Sequence, residues 1–123
     1  MTASEVSERP VELTGHSGAA VVLVRADLDD QVAALLRDTL ADAVDRYGDV
    51  VVDLAGAHTV DPAGLGVLVR AHRHARRRDG NLCLAAPSRF VVAVLHTMHV
   101  DGVFPIFDDC ASALRWLDDD PRS

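Results

Sequence analysis

The chain has 123 residues, of which 49% are hydrophobic and 25% charged, and this balance predicts one soluble globular domain rather than a disordered chain or a disulfide scaffold. The 19 acidic residues against 12 arginines give a net charge of −7. That charge disfavours a nucleic-acid binder, because such affinity comes from neutralisation of phosphates by basic side chains. No apolar run reaches the ~20 residues of a membrane span, and the first 18 residues lack the regions of a signal peptide. We therefore expect a cytoplasmic protein without a membrane span.

The apolar residues follow the periodicity of alternating strands and helices. Short runs rich in β-branched residues predict strands at residues 11–14, 19–26, 50–54, 81–86 and 104–107. Apolar residues spaced i, i+3, i+4 and i+7 predict four helices, with starts at residues 27–30, 61–62, 87–88 and 108–109. Gly48 is the expected end of the first helix.

The same spacing predicts which side chains of each helix face the core. The inward positions are Val32, Leu35, Leu36, Thr39, Leu40, Ala43, Val44 and Tyr47 in the first helix, Leu65, Leu68, Val69, His72 and Ala75 in the second, Val91, Val92, Leu95 and Met98 in the third, and Cys110, Ala113, Leu114 and Leu117 in the last. Each helix should therefore bury one apolar stripe.

Strands that alternate with helices imply an α/β fold, because a crossover helix joins two neighbouring parallel strands. We expect a single domain at residues 11–118, with a mixed, mostly parallel sheet of about five strands and about four helices. The first strand precedes a short turn and should be antiparallel, and Pro105 suits an edge strand. Residues 1–10 and 119–123 are the expected flexible N-terminus and C-terminal tail.

The segment Asp61-Pro62-Ala63-Gly64 is the most informative local feature. Asp is a good N-cap and Pro is favoured at the first helical position, so the segment is first of all a well-made helix start. Functionally, a helix start after a strand and a loop offers free N–H groups and a positive dipole to whatever docks there.

The run from Val50 to Ser88 resembles the STAS domain of bacterial anti-sigma factor antagonists. In that family a strand ends in Asp-Leu, here residues 53–54, and after a loop Asp-Ser-Ser/Ala-Gly-Leu-Gly opens a helix, here residues 61–66. Upstream, residues 27–29 match the end of a Gly-Glu-Leu-Asp motif, with Ala26 in place of the glycine. The resemblance extends over nearly the whole chain and implies a STAS-like α/β fold.

This resemblance implies a protein-binding regulator that is not an enzyme and needs no cofactor. Members of the family bind an anti-sigma factor of the histidine-kinase-like ATPase fold and so free a sigma factor, and the partner phosphorylates the Ser directly after the Asp. Here that position is Pro62 and the next is Ala63, so phosphorylation at the usual place is chemically impossible. Thr59 is a weak substitute, because a loop threonine more often hydrogen-bonds the backbone.

The expected partner-binding surface combines the start of the second helix with the segments that precede the first and third helices. Its residues are Asp27, Leu28, Asp29, Asp61, Pro62, Ala63, Gly64, Leu65, Ser88 and Arg89. Asp61 is expected to orient the helix start and Gly64 to allow close approach. Leu28 and Leu65 are expected to supply apolar contact.

Other functions stay open beside the antagonist. The chain could be a permanently competent antagonist that is controlled by its abundance, or a STAS scaffold or transporter-accessory domain, since the acceptor is often missing there. It could also bind a small anionic ligand or nucleotide at the helix start. These alternatives leave the oligomeric state open.

Histidine and cysteine patterns are weak signals for a metal or a redox site. His72 and His74 lie two positions apart on a helix and point to different sides, and His96 and His99 have no further ligand at a recognised spacing. We therefore expect no metal. Two thiols, Cys83 and Cys110, read as small buried residues, and a redox switch between them is the less favoured interpretation.

The stretch from Arg70 to Arg78 contains five arginines and two histidines. We interpret it as the solvated face of a helix. If it binds anything, an acidic face of a partner protein or an anionic headgroup fits better than DNA, given the negative net charge.

Overall fold

The computed structural model describes residues 9–16 and 18–119. The elements in chain order are β1 (Val11–His16), β2 (Ala19–Val24), α1 (Asp30–Tyr47), β3 (Asp49–Asp53), α2 (Pro62–Arg77), β4 (Leu82–Ala85), α3 (Arg89–Thr97), β5 (Ile106–Phe107) and α4 (Cys110–Asp118). Of the expected flexible N-terminus and C-terminal tail, residues 1–8 and 120–123 lie outside the described part of the chain.

The five strands form one sheet in the order β1-β2-β3-β4-β5. The β1–β2 pair is antiparallel and the other three pairs are parallel. The predicted α/β fold, with its mixed and mostly parallel sheet and four helices, is therefore confirmed, and β5 lies at the edge as Pro105 suggested. Parallel order places the loops after β2, β3 and β4 at the same edge of the sheet.

Helices cover both faces of this sheet. One core joins alternate residues of the central strands, such as Val22 and Val52, to the buried stripes of α1, α2 and α3. The second core joins the intervening residues, such as Val51 and Cys83, to α4. Because both faces are covered, β3 and β4 read as nearly continuous apolar runs.

Side-chain caps set the start of every helix in the described residues, close to the predicted positions. The cap carboxylates of Asp29, Asp61 and Asp109 accept from backbone N–H groups three residues on, at 3.0, 3.0 and 2.7 Å. In α3 the Ser88 hydroxyl does the same for Val91 N–H, at 3.1 Å. Each such cap stabilises its helix by about 0.5–2 kcal/mol.

Three predicted inward side chains are exposed. Val92 and Met98 point to solvent because α3 contacts the core through the narrow stripe of Val91 and Leu95. Met98 is also the residue at which α3 ends. Leu35 is exposed because the adjacent Leu36, one helical step away, takes the buried position in α1.

The last strand is shorter than predicted. Phe104 is buried and meets the His72 ring edge-on, with 5.4 Å between ring centroids, so its side chain fills the core instead of extending the strand. The Pro105 carbonyl accepts from Leu84 N–H at 2.9 Å and so continues the pairing from outside β5. Only Ile106 and Phe107 have strand geometry.

Candidate partner-docking site

Two of the loops at the carboxyl edge of the sheet are joined by a short stretch of parallel pairing. Leu28 and Val60 form an isolated parallel bridge. Leu28 N–H donates to Thr59 O and Leu28 O accepts from Asp61 N–H, both at 3.0 Å. The loop before α1 therefore fixes the loop that leads into α2.

The Asp27 carboxylate adds a second link between these loops. Its Oδ1 accepts from the backbone N–H groups of His58 at 2.9 Å and of Thr59 at 3.2 Å. The His58 hydrogen bond is the largest influence that holds the pKa of Asp27 below its ordinary value, with further help from Thr59, although desolvation acts in the opposite direction. Asp27 is thus a charged acceptor that binds the loop, although it is exposed to solvent.

Ser88 holds the same loop from the other side. Its hydroxyl caps α3 and donates to His58 O at 2.8 Å. The His58 residue is therefore bound at its N–H by Asp27 and at its carbonyl by Ser88. Sequence reasoning missed His58, because its contribution is made by the backbone and carries no side-chain signal.

The start of α2 combines two exposed residues with two buried ones. Pro62 and Ala63 are exposed, while Gly64 and Leu65 are buried, Leu65 being 6% exposed. A Cβ atom at Gly64 would lie 2.7 Å from Leu28 Cβ, so the close approach that Gly64 permits is to Leu28 within the protein. Leu28 is itself only 1% exposed.

The expectation that Leu28 and Leu65 supply apolar contact to a partner is therefore wrong. Both side chains are used up in the core beneath the loops. Exposed neighbours that the sequence analysis overlooked are the side chains of His58 and Phe90, and Phe90 is 53% exposed. A partly exposed Phe is a frequent anchor in protein interfaces, and its position beside Arg89 could have suggested this.

Together these residues make a rigid and mostly acidic surface. Its exposed side chains are those of Asp27, Asp29, His58, Thr59, Pro62, Ala63, Arg89 and Phe90. Arg89 is its one charged basic residue, and the remaining charged groups of this set are carboxylates. Such a surface can bind a complementary protein without rearranging its backbone.

The metal and redox candidates differ in their surroundings from this surface. Within residues 9–16 and 18–119 no three His, Cys, Asp or Glu side chains are grouped as a metal would need. His96 Nδ1 lies 3.0 Å from Asp101 Oδ2. Burial, followed by Asp53 and Asp109, raises the pKa of the half-buried Cys110 thiol, and no disulfide is formed.

None of the described helices combines the length and the apolar character that crossing a bilayer requires. The sheet order and the placement of the helices define an α/β domain with one antiparallel edge strand. A family model described as the STAS domain matches residues 10–113, and the chain belongs to this family.

Similar proteins are of the same kind. The chain is 23% identical over 110 residues to an anti-sigma F factor antagonist of Paenibacillus polymyxa, with 88% of this chain and 94% of that protein covered. A crystal structure of a candidate anti-sigma factor antagonist from Thermotoga maritima has a TM-score of 0.82 at 19% identity, covering 88% and 94% of the two chains. An anti-sigma factor antagonist from Mycobacterium paratuberculosis has a TM-score of 0.80 at 23% identity, covering 89% and 93%.

Proposed function

We propose that this protein is an anti-sigma factor antagonist, a non-catalytic regulator that binds an anti-sigma factor and so frees a sigma factor. The observation that supports this most is the exposed start of α2, held rigid by the contacts of Asp27 and Ser88 with His58. Likeness to anti-sigma factor antagonists over most of the chain supports the same role. The domain that carries it spans residues 11–118.

The proposed partner is an anti-sigma factor of the histidine-kinase-like ATPase fold. It would contact the exposed Asp27, Asp29 and Arg89 together with the α2 start at Pro62 and Ala63. Asp61, Gly64 and Ser88 act on binding indirectly, since they fix the two helix starts. Leu28 and Leu65 support this surface from below.

Pro62 changes how such binding would be regulated. Proline has no hydroxyl, so the residue after the N-cap Asp61 cannot accept a phosphoryl group. We infer that binding is controlled by the amount of the protein and not by phosphorylation at this position. The proposal therefore describes an antagonist that is always competent to bind.

Binding to the purified anti-sigma factors of the host, measured by calorimetry, tests this function. Ala63→Arg places a large charged side chain on the exposed second residue of α2, and we expect it to weaken binding at least about tenfold. Ala111→Arg is the matched control, because Ala111 is the exposed second residue of α4 on the opposite face of the sheet. Absence of binding to every anti-sigma factor, or equal losses in both variants, would refute the proposal.

A further inference from the structure

A groove of about 230 Å³ lies between α1 and α2, away from the helix starts. Its floor is apolar and consists of Leu40 and Ala41 from α1 with Val67 and Ala71 from α2. Its rim carries positive charge from Arg37 and Arg70, and we call it the cationic groove. The volume is ample for one large apolar side chain.

Arg70 is positioned by a glycine one turn earlier in α2. A Cβ atom at Gly66 would lie 3.5 Å from Arg70 Nη1, so the guanidinium lies back along the helix over Gly66. Among residues 9–16 and 18–119, Arg70 forms no ion pair, and Arg37 has one exposed pair with the adjacent Asp38 at 3.5 Å. Such an exposed pair contributes little, so both guanidinium groups are available to an anion.

The positive charge of α2 is unusual for a chain with a net charge of −7. The helix contains Arg70, Arg73, Arg76 and Arg77 and has no acidic residue. Arg73 lies three positions after Arg70 and four before Arg77, and like charges at these spacings destabilise a helix by about 0.2–0.5 kcal/mol per pair. The helix dipole offsets this cost only in the last turn, which Arg70 and Arg73 precede.

We propose that the cationic groove binds an acidic amphipathic helix of a partner protein. One large apolar side chain of that helix enters the floor, and carboxylates one turn to either side pair with Arg37 and Arg70. Charge complementarity selects this occupant, because an apolar floor between two guanidinium groups matches an apolar residue between acids. His74, at the end of the groove, is already paired with Asp45 at 3.0 Å.

This binding site is separate from the proposed docking surface. Arg70 comes eight residues after Pro62, which corresponds to about 12 Å along the helix axis. The groove lies on the side of the α1–α2 pair, whereas the docking surface lies at the carboxyl edge of the sheet. The two surfaces can therefore act independently, and failure of one proposal does not decide the other.

The probe is a synthetic, end-blocked helical peptide of about 15 residues. It carries one Phe and two Leu at i, i+4 and i+7, with Glu at the flanking positions. Titration into the isotope-labelled full chain, followed by amide chemical shifts, should show micromolar binding that perturbs the amides of Leu40, Val67 and Ala71. Binding should weaken several-fold as salt rises from about 50 to 300 mM.

Variants and peptide controls separate the groove from general attraction. Arg70→Glu should weaken binding about tenfold or more, and Arg70→Gln by less. Arg73→Glu makes the same charge change on the same helix, but at a residue that does not line the groove, so its effect should be small. Replacement of every Glu of the peptide by Gln, or of its Phe by Ala, should each abolish most of the binding.

Several results would overturn the proposal. These are no binding below about 1 mM, which corresponds to about 4 kcal/mol, shifts located outside the groove, equal losses for Arg70→Glu and Arg73→Glu, and full binding by the peptide without Phe. Thermal unfolding of each variant shows whether it is folded before binding is compared.

Discussion

Gly64 lies directly against Leu28, and a Cβ atom at Gly64 would fall only 2.7 Å from the Leu28 Cβ. The first turn of α2 therefore rests on the loop that precedes α1. A side chain at this position would push the helix start away from Leu28, which is buried and has no room to move. The exposed residues Pro62 and Ala63 take their position from this contact.

Gly64→Ala should destabilise the protein by about 1–3 kcal/mol, because the added methyl group overpacks a closed contact. Gly66→Ala is the matched control two residues later in the same helix. There the added Cβ meets only the flexible end of Arg70 at 3.5 Å, and the loss of a helix-interior glycine should stabilise by roughly 0.5–1 kcal/mol. Urea unfolding of both variants measures the difference, and equal effects would show that Gly64 is not closely packed.

The local features of this fold were predictable because they depend on neighbours in the sequence. The caps Asp61 and Ser88 and the alternation of strands with helices follow from residue type and spacing. Exposure of Val92 and Met98 was not predictable in this way. An amphipathic pattern gives a stripe about 100° wide or more, and only tertiary packing decides which part of it meets the core.

The candidate site was partly predictable for a similar reason. Its helix start was recognisable from residues 61–64. The contacts that hold it join Asp27 to His58 and His58 to Ser88 across 31 and 30 residues, and two of them end on backbone atoms. Neither separation nor a backbone acceptor leaves a mark in the sequence.

Asp27 should make stability depend on acid. Its pKa is below the ordinary value of 3.8 in the folded protein, so its contribution is fully present above pH 3.8 and is lost as the pH falls through the folded-state pKa. Asp27→Asn should lower stability at neutral pH and flatten the acid limb of the profile of Tm against pH. Asp101 and Asp109 act in the same direction in the same range, so the limb will be reduced but not abolished.

The matched control for this experiment is Asp108→Asn. Asp108 is exposed, and no hydrogen bond to its carboxylate is found in the described ranges of the chain. Both substitutions remove one negative charge, so general charge effects cancel in the comparison. A profile for Asp27→Asn that is identical to that of Asp108→Asn would contradict the role assigned to Asp27.

Ser88→Ala should cost about 0.5–2 kcal/mol, because the hydroxyl caps α3. It should also release the loop, since the same hydroxyl donates to His58 O. Hydrogen exchange of the His58 and Thr59 amides reports on that release, and protection should fall. Ser88→Thr keeps the hydroxyl and should restore both properties, and Ser112→Ala, on α4, should leave the two amides unchanged. Unchanged protection in Ser88→Ala would show that the bond to His58 does not hold the loop.

Pro62→Ser tests whether this residue alone prevents phosphorylation. The new hydroxyl would lie directly after Asp61 on an exposed first turn of α2, and a phosphate there would face the positive end of the helix dipole. With ATP and an anti-sigma partner that binds the protein and has kinase activity, we expect phosphate incorporation into Pro62→Ser and none into the wild type. The added charge of about −2 should then weaken binding to that partner.

Ala111→Ser is the control, because it places a serine at an exposed position in the first turn of α4, on the opposite face of the sheet. It should remain unlabelled under the same conditions. Mass spectrometry of the labelled Pro62→Ser protein should locate the phosphate in the peptide that contains residue 62. If this variant binds the kinase normally but gains no phosphate, something other than the missing hydroxyl prevents the reaction. Pro62 would then be a consequence of a different mode of regulation and not its cause.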